Sequence, residues 1–259
     1  MSTFLFDKIV FGPVHSRRLG VSLGINLLPV DGKLCSFDCI YCECGLNSER
    51  RTKSKLPTRE EVRKELEETL VSMKASETAP DVITFAGNGE PTLHPDFGGI
   101  IEDTVSLRDR LFPKAKIAVL SNSTMLHKEE VFNALHKVDD AILKLDSVLD
   151  TRIQQLNAPN LPSFTFAKLV EQLCRFEGKL IIQTMFIKGE YNGEPVDNTT
   201  KEEITGWIDA LKQIKPGQVM IYTIDRETPV KNLLKVSESE LERIADIARK
   251  EGFNVTVSA

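Results

Sequence analysis

The chain has 259 residues, 41% of them hydrophobic and 27% charged, with a formal net charge of −5. That length and composition suit a soluble chain that folds throughout, by default as one domain spanning residues 1–259, and they exclude disorder and low complexity. The acidic balance argues against a broad grip on phosphate backbones; no apolar run is long enough to cross a bilayer, and the N-terminus lacks a secretory pattern, so a cytoplasmic protein is expected.

In chain order, Phe4, Phe6 and Phe11 alternate as in a strand and read as core packing. Seven apolar, β-branched segments follow as strand candidates: Val21–Leu28, Asp81–Gly87, Lys116–Asn122, Ala141–Ser147, Lys179–Ile187, Gln218–Ile224 and Asn254–Ser258. Such continuous apolar runs are typical of strands buried on both faces.

Amphipathic segments lie between them. In "PTREEVRKELEETLVSMKAS", Thr58 and Glu61 have capping-box spacing and Val62, Leu66, Leu70 and Met73 recur at helical intervals. "TTKEEITGWIDALKQIKPG" and "SESELERIADIARKEG" repeat the pattern, each with a polar cap before it and Gly after it. Alternating strand and helix predicts an α/β fold of parallel strands with right-handed crossovers, either an open sheet or a full or partial (β/α) barrel. Ligands then collect at the carboxyl ends of the strands. Between the fifth and sixth strands, "KGEYNGEPVDNTT" (188–200) reads as a long polar loop over that end, the expected seat of substrate selectivity.

Four of the five cysteines fall within "CSFDCIYCECG", directly after the first strand. Cys35, Cys39 and Cys42 stand as Cys-x3-Cys-x2-Cys, so one short loop can wrap three thiolates around a metal centre. A structural zinc wants a fourth ligand, which would be Cys44 or a distant His. A four-iron cluster normally takes four thiolates, and with three it leaves one iron open to a small molecule. Cys44 is either a spare ligand or a redox thiol, and Cys174 reads as core.

Other strand ends carry polar groups. Gly87 and Gly89 of "GNGEP" allow close backbone approach, and Glu90 offers a carboxylate to a ligand cation; "SNS" (121–123) adds hydroxyls and an amide. Lys144 and Asp146 share one strand face, which is costly unless they are paired or liganded. Gln183 interrupts the next apolar strand, and Arg226 follows "YTID". His15, His94, His127 and His136 have no partner at ligand spacing; His94 reads as a solvated loop residue.

The cysteine loop, with Tyr41 just before its last Cys, resembles that of the radical S-adenosylmethionine (SAM) superfamily, and "GNGEP" resembles the superfamily's Gly-Gly-Glu-Pro motif. "FGPVHSRRLGVSLGINLLP" and "TIDRETP" resemble a small subgroup related to the wyosine-type tRNA-modifying synthases. The resemblance implies a partial (β/α)6 barrel, a [4Fe-4S] cluster on Cys35, Cys39 and Cys42, and SAM as second cofactor. SAM contacts would come from Tyr41, Gly87, Asn88, Gly89, Glu90, Ser121, Asn122 and Gln183. Lys144, Asp146 and Arg226 would serve SAM or substrate, and Arg17 and Arg18 substrate.

It also implies reductive cleavage of SAM to a 5′-deoxyadenosyl radical that abstracts hydrogen from a substrate, with a flavodoxin or ferredoxin as reductant. The synthases hold a second cluster on upstream cysteines, and no cysteine precedes Cys35 here, so their tRNA reaction is not implied. A tRNA-modifying enzyme, a glycyl-radical activase and a non-enzymatic iron–sulfur or zinc protein stand as alternatives.

Overall fold

A computed structural model describes residues 4–16, 20–49 and 51–259. All seven expected strands form and lie parallel in one open sheet: β2 (Gly20–Ile25), β3 (Val82–Phe85), β4 (Lys116–Ser121), β5 (Asp140–Lys144), β6 (Ile181–Met185), β9 (Gln218–Tyr222) and β11 (Val255–Ser258). The sheet does not close, which agrees with a partial barrel of six β/α strands, β11 adding a seventh at one edge.

The opposite edge is a strand outside the seven apolar candidates, β1 (Val10–Ser16), antiparallel to β2 with a register shift between Phe11 and Val14. Its "FGPV" interrupts any strand pattern, and a proline is tolerated only where one side of the strand is unpaired. Of the N-terminal phenylalanines only Phe11 lies in a strand: its ring stacks on Phe6 at 3.8 Å, while Phe4 is 51% exposed and packs edge-on against Phe6.

Helices α1 (Arg59–Ala75), α2 (Phe97–Leu111), α3 (Glu129–Leu135), α4 (Asp150–Asn157), α5 (Phe166–Cys174), α6 (Lys201–Ile214) and α7 (Glu238–Lys250) make the crossovers. The predicted capping box opens α1: Thr58 accepts from the Glu61 N–H and Glu61 accepts from the Thr58 N–H at 2.7 Å. Thr200 and Ser237 cap α6 and α7 in the same way, each accepting from the N–H three residues on.

The strands alternate strictly. One face, with Ile83, Phe85, Ile117, Val119, Leu143, Ile182 and Val219, packs on the helices in the main core. The other face forms a small layer of Val82, Ala118, Ile142, Ile181 and Met220. Two residues further along that inner face, the chain turns polar at Lys144, Gln183 and Tyr222.

Segment 188–200 is an ordered hairpin, not the expected loop. β7 (Ile187–Tyr191) pairs with β8 (Glu194–Asp197) and with β10 (Leu233–Lys235) in a second, three-stranded sheet. Buried Asn198 anchors it, accepting from the Ile187 N–H and donating to the carbonyls of Asp146 and Met185 at 2.7 Å. Cys174 ends α5 and packs against the core, as its sequence context suggested. Arg17 and Arg18 lie outside the described residues.

Candidate cluster and cofactor site

The segment between β2 and α1 carries the cysteines, and the GNGEP turn holds it. Asn26 Oδ1 accepts from the N–H groups of Leu28 and Asn88, each at 3.1 Å; the Leu34 N–H donates to Asn88 O, and the Glu90 N–H to Leu34 O. The two glycines exist for this contact. A Cβ on Gly89, whose φ is +135°, would stand 1.9 Å from the Leu34 carbonyl oxygen, and one on Gly87 would stand 2.3 Å from Asn26 Oδ1. The close approach read from "GNGEP" is therefore to the chain itself. Asn88 is fully buried and its side chain is used structurally, accepting from the Phe6 N–H and donating to the carbonyls of Phe6 and Pro29.

Cys35, Cys39 and Cys42 open on one cavity of about 220 Å³ at the carboxyl ends of the strands. Tyr41, Gly87, Gly89, Glu90, Ser121, Asn122, Lys144 and Gln183 line it too, so nearly all the predicted residues converge. Phe37, Cys44 and Tyr222 join them. Asn88, Asp146 and Arg226 do not face the cavity. Asp146 lies behind Lys144; Arg226 is on the surface, donating to Glu43 at 2.7 Å, and reaches the cysteine loop from outside.

Two ligand sulfurs have donors. The Phe37 N–H and Asn122 Nδ2 point to Cys35 Sγ at 3.5 and 3.6 Å, and Asn157 Nδ2 to Cys39 Sγ at 3.4 Å. Cys44 donates its S–H to Gly87 O at 3.6 Å. The proximity of the two thiols, with help from Lys33 and against burial, lowers Cys42 to about 6, and proximity and burial together hold Cys44 far above the ordinary thiol range. Burial pushes Cys35 up, and Cys39 up to about 11.

Glu90 is 2% exposed, and burial raises its carboxyl against the bonds that favour the anion. Oε1 accepts from the Thr92 N–H, the Thr92 hydroxyl and Ser121 Oγ, while Oε2 accepts only the Asn122 N–H, at 2.6 Å. Among the described residues no cation pairs with it, and Oε2 retains acceptor capacity toward the cavity. Ser121 and Asn122 thus spend their donors on Glu90, Cys35 and Ser36, bracing β4 against the cysteine loop.

On the opposite wall Lys144 and Gln183 are register partners across β5 and β6. Lys144 Nζ lies 3.4 Å from Asp146 Oδ2, donates to the Tyr41 hydroxyl at 3.0 Å and reaches the Tyr222 hydroxyl at 3.5 Å. Burial opposes its charge, but Asp146 and Tyr222 outweigh that and keep it well above the ordinary lysine value. The Tyr41 hydroxyl donates to Asp146 Oδ2, and burial followed by the nearby carboxylate pushes it well above the usual phenol range. Asn157 completes the network, donating to the Tyr41 hydroxyl at 3.0 Å and to Asp146 at 2.8 Å.

Sequence reasoning missed Asn157, Tyr222 and Lys33. Tyr222 stands at the carboxyl end of a predicted strand, and Lys33 is two residues before Cys35; Asn157 has no local signal. His94, read as solvated, is buried: it accepts from the Asp96 N–H through Nδ1, and its Nε2 meets the Pro57 carbonyl at 2.7 Å, tying the GNGEP turn to the start of α1.

Three thiols around a cavity, beside a buried carboxylate without a cation, fit a [4Fe-4S] cluster with one iron left for SAM.

Residues 30–198 match the Radical SAM superfamily. A UPF0026 protein of Helicobacter pylori (strain J99) is 34% identical over 243 residues, 90% of this chain and 71% of that protein. A Brachyspira hyodysenteriae protein named GTPase Obg is 34% identical over 246 residues, 92% of this chain but 33% of its own length, so the chain spans a third of that relative. It spans 63% of a UPF0026 protein of Methanocaldococcus jannaschii, to which it is 32% identical over 221 residues, 83% of this chain.

Among solved structures, a radical SAM methyltransferase from Sphaerobacter thermophilus superposes with a TM-score of 0.67 at 15% identity, over 92% of this chain and 65% of that one. Streptococcus suis SuiB bound to S-adenosylmethionine gives 0.63 at 15%, over 88% and 49%. TYW1 with a lysine–pyruvate adduct gives 0.60 at 13%, over 88% and 73%. At these identities the three share the fold with this chain. The match across most of the sequence makes the chain a member of the radical SAM superfamily, whose enzymes use a [4Fe-4S] cluster and SAM.

Proposed function

We propose that the chain acts as a single radical SAM domain that binds a [4Fe-4S] cluster and SAM and abstracts hydrogen from a substrate. The carrying observation is the shared cavity of Cys35, Cys39, Cys42 and the Glu90 carboxylate, which has no cationic partner among the described residues. When bound, the reduced cluster would supply one electron to the sulfonium of SAM, whose S–C5′ bond breaks to give methionine and a 5′-deoxyadenosyl radical.

The protein's own part is to bind, orient and exclude water. Cys35, Cys39 and Cys42 ligate three irons, and Glu90 Oε2 takes the SAM ammonium, a cation that offsets the cost of a buried carboxylate. Gly87 and Gly89 bring that turn against the cysteine loop; Tyr41, Ser121, Asn122 and Gln183 form the walls. Lys144, charged and steered by Asp146, presents an ammonium to an anionic or carbonyl group of the substrate. Asn88 and Arg226 fall outside this set.

Lys144 stands 3.4 Å from Asp146 Oδ2, a carboxylate that favours its charged form. The test is anaerobic reconstitution with iron and sulfide, then dithionite and SAM, with 5′-deoxyadenosine measured by chromatography. Formation that disappears in Cys39→Ala supports the reading; a loaded cluster that neither binds nor cleaves SAM overturns it.

A further inference from the structure

Gln183 is 6% exposed on the inner face of β6, between Ile181 and Met185 on that face and in register with Lys144 of β5 and Met220 of β9. Its side chain lines the cluster cavity, and among the described residues neither Oε1 nor Nε2 has a hydrogen-bond partner. An apolar side chain of the same length would complete this strand face with no amide to satisfy. A carboxamide sunk without a partner costs free energy, so its presence points to a partner that enters the cavity.

Apart from Glu90, its polar neighbours in the wall are spent on the protein. Ser121 Oγ donates to Glu90 Oε1 and accepts from the Ser123 N–H. Asn122 donates to Cys35 Sγ and Ser36 Oγ and accepts from the N–H and hydroxyl of Thr124. The Tyr41 hydroxyl donates to Asp146 and accepts from Lys144 and Asn157. Lys144 has three N–H groups and three oxygens within 3.5 Å, Asp146 Oδ2 and the hydroxyls of Tyr41 and Tyr222. It brings charge to the cavity, whereas Gln183 brings unspent donor and acceptor directions.

Sheet order divides the cavity. The cysteine loop, Glu90 and Ser121 stand at the ends of β2, β3 and β4, and Lys144, Gln183 and Tyr222 at the ends of β5, β6 and β9. On the reading above, cluster and SAM ammonium occupy the first half, which leaves the second to the substrate. A carboxamide holds an acceptor and N–H donors side by side on one plane. Its two-bond complement carries an N–H and a carbonyl on one edge, as a lactam or a primary amide does. A trans peptide points the two in opposite directions and can make only one of the bonds, and a carboxylate only accepts. We propose that Gln183 is the specificity-determining residue of the site and that the substrate presents a lactam or primary-amide edge to it.

This deepens the reading above and rests on it. The experiment uses the reconstituted full chain, anaerobic and without reductant so that SAM stays intact, with iron per chain and SAM affinity measured first. Two probes are then titrated into the SAM-loaded protein by ligand-detected NMR: 2-pyrrolidinone, a lactam, and γ-butyrolactone, the same ring with the N–H replaced by oxygen. Wild type is compared with Gln183→Leu, which removes both hydrogen-bonding groups, and Gln183→Glu, which keeps the shape and turns the donor half into an acceptor. Wild type is expected to bind the lactam about tenfold more tightly than the lactone, and both variants to lose that preference.

A wild type that binds neither probe, or binds both equally, overturns the proposal. So does a lactam preference that survives in the variants, which would place the recognition on another group. Weaker SAM binding in Gln183→Leu with the lactam preference intact would give the carboxamide to SAM and overturn it as well. If Gln183→Leu loads too little iron to titrate, Gln183→Glu decides by the same preference. A wild type that takes up no cluster or no SAM overturns the site reading itself, and this inference with it.

Discussion

The Asn122 N–H donates to Glu90 Oε2 at 2.6 Å, joining the ends of β4 and β3 at the wall of the cavity. Exchanging the carboxylate for an amide sets a donor against that N–H and removes the charge meant for the SAM ammonium. Glu90→Gln should keep its cluster and bind SAM about 10- to 100-fold more weakly, the worth of a hydrogen bond to a charged group at about 1.5–3 kcal/mol. Calorimetric titration of SAM into the loaded variant checks this, and an unchanged affinity would remove Glu90 from the site.

Gly89 and Gly193 both have positive φ, but only Gly89 is crowded: a Cβ at Gly193 meets nothing within 4 Å. Gly89→Ala should cost at least about 3 kcal/mol, strain and clash together. Gly193→Ala should cost about 1–2 kcal/mol, the left-handed penalty alone. Urea denaturation of the two variants would contradict this account if their midpoints coincided.

Asp146→Ala leaves the Lys144 ammonium buried without its carboxylate, and a loss of about 3–5 kcal/mol is expected. Adding Lys144→Met should recover part of that loss, so the two changes are non-additive in a double-mutant cycle. Because the Lys144 value is raised in the folded state, its stabilising contribution is complete below the ordinary lysine value of about 10.4 and fades as pH climbs through the folded one. The wild-type minus Lys144→Met difference should therefore stay level from neutral pH to about 9; a steep slope there would assign the charge elsewhere.

Asn198→Ala removes one acceptor and two donors that tie the β7–β8 hairpin to Asp146 and Met185. Loss of about 3 kcal/mol or more is expected, since buried backbone groups are left unpaired. Deleting only residues 190–195, beyond those bonds, should spare 5′-deoxyadenosine formation. Hydrogen exchange at Ile187, whose N–H donates to Asn198, distinguishes the two, rising in the point variant and staying slow in the deletion.

The parallel strands, the capped helices and the polar groups around the thiols were legible in the chain alone, because each has a local cause: continuous apolar runs, capping spacings, and a strand end that places the next residue at the ligand edge. Val82, Ala118, Ile142, Ile181 and Met220 were readable as strand interior from their neighbours alone, and Cys35, Cys39, Cys42 and Glu90 from spacing and resemblance. The assignment of partners was not local. Whether Gly89 approaches a ligand or the Leu34 carbonyl, whether Asn88 faces a cavity or Phe6, and where Arg226 ends are settled by contacts 55, 82 and 183 residues apart, which no periodicity encodes. Asn157 reaches Cys39 from 118 residues away, and Lys33 meets the Gly45 carbonyl only when the loop closes over it. The strand pattern places side chains on a face, but only packing decides which of them spend their hydrogen bonds on the protein and which are left for something else.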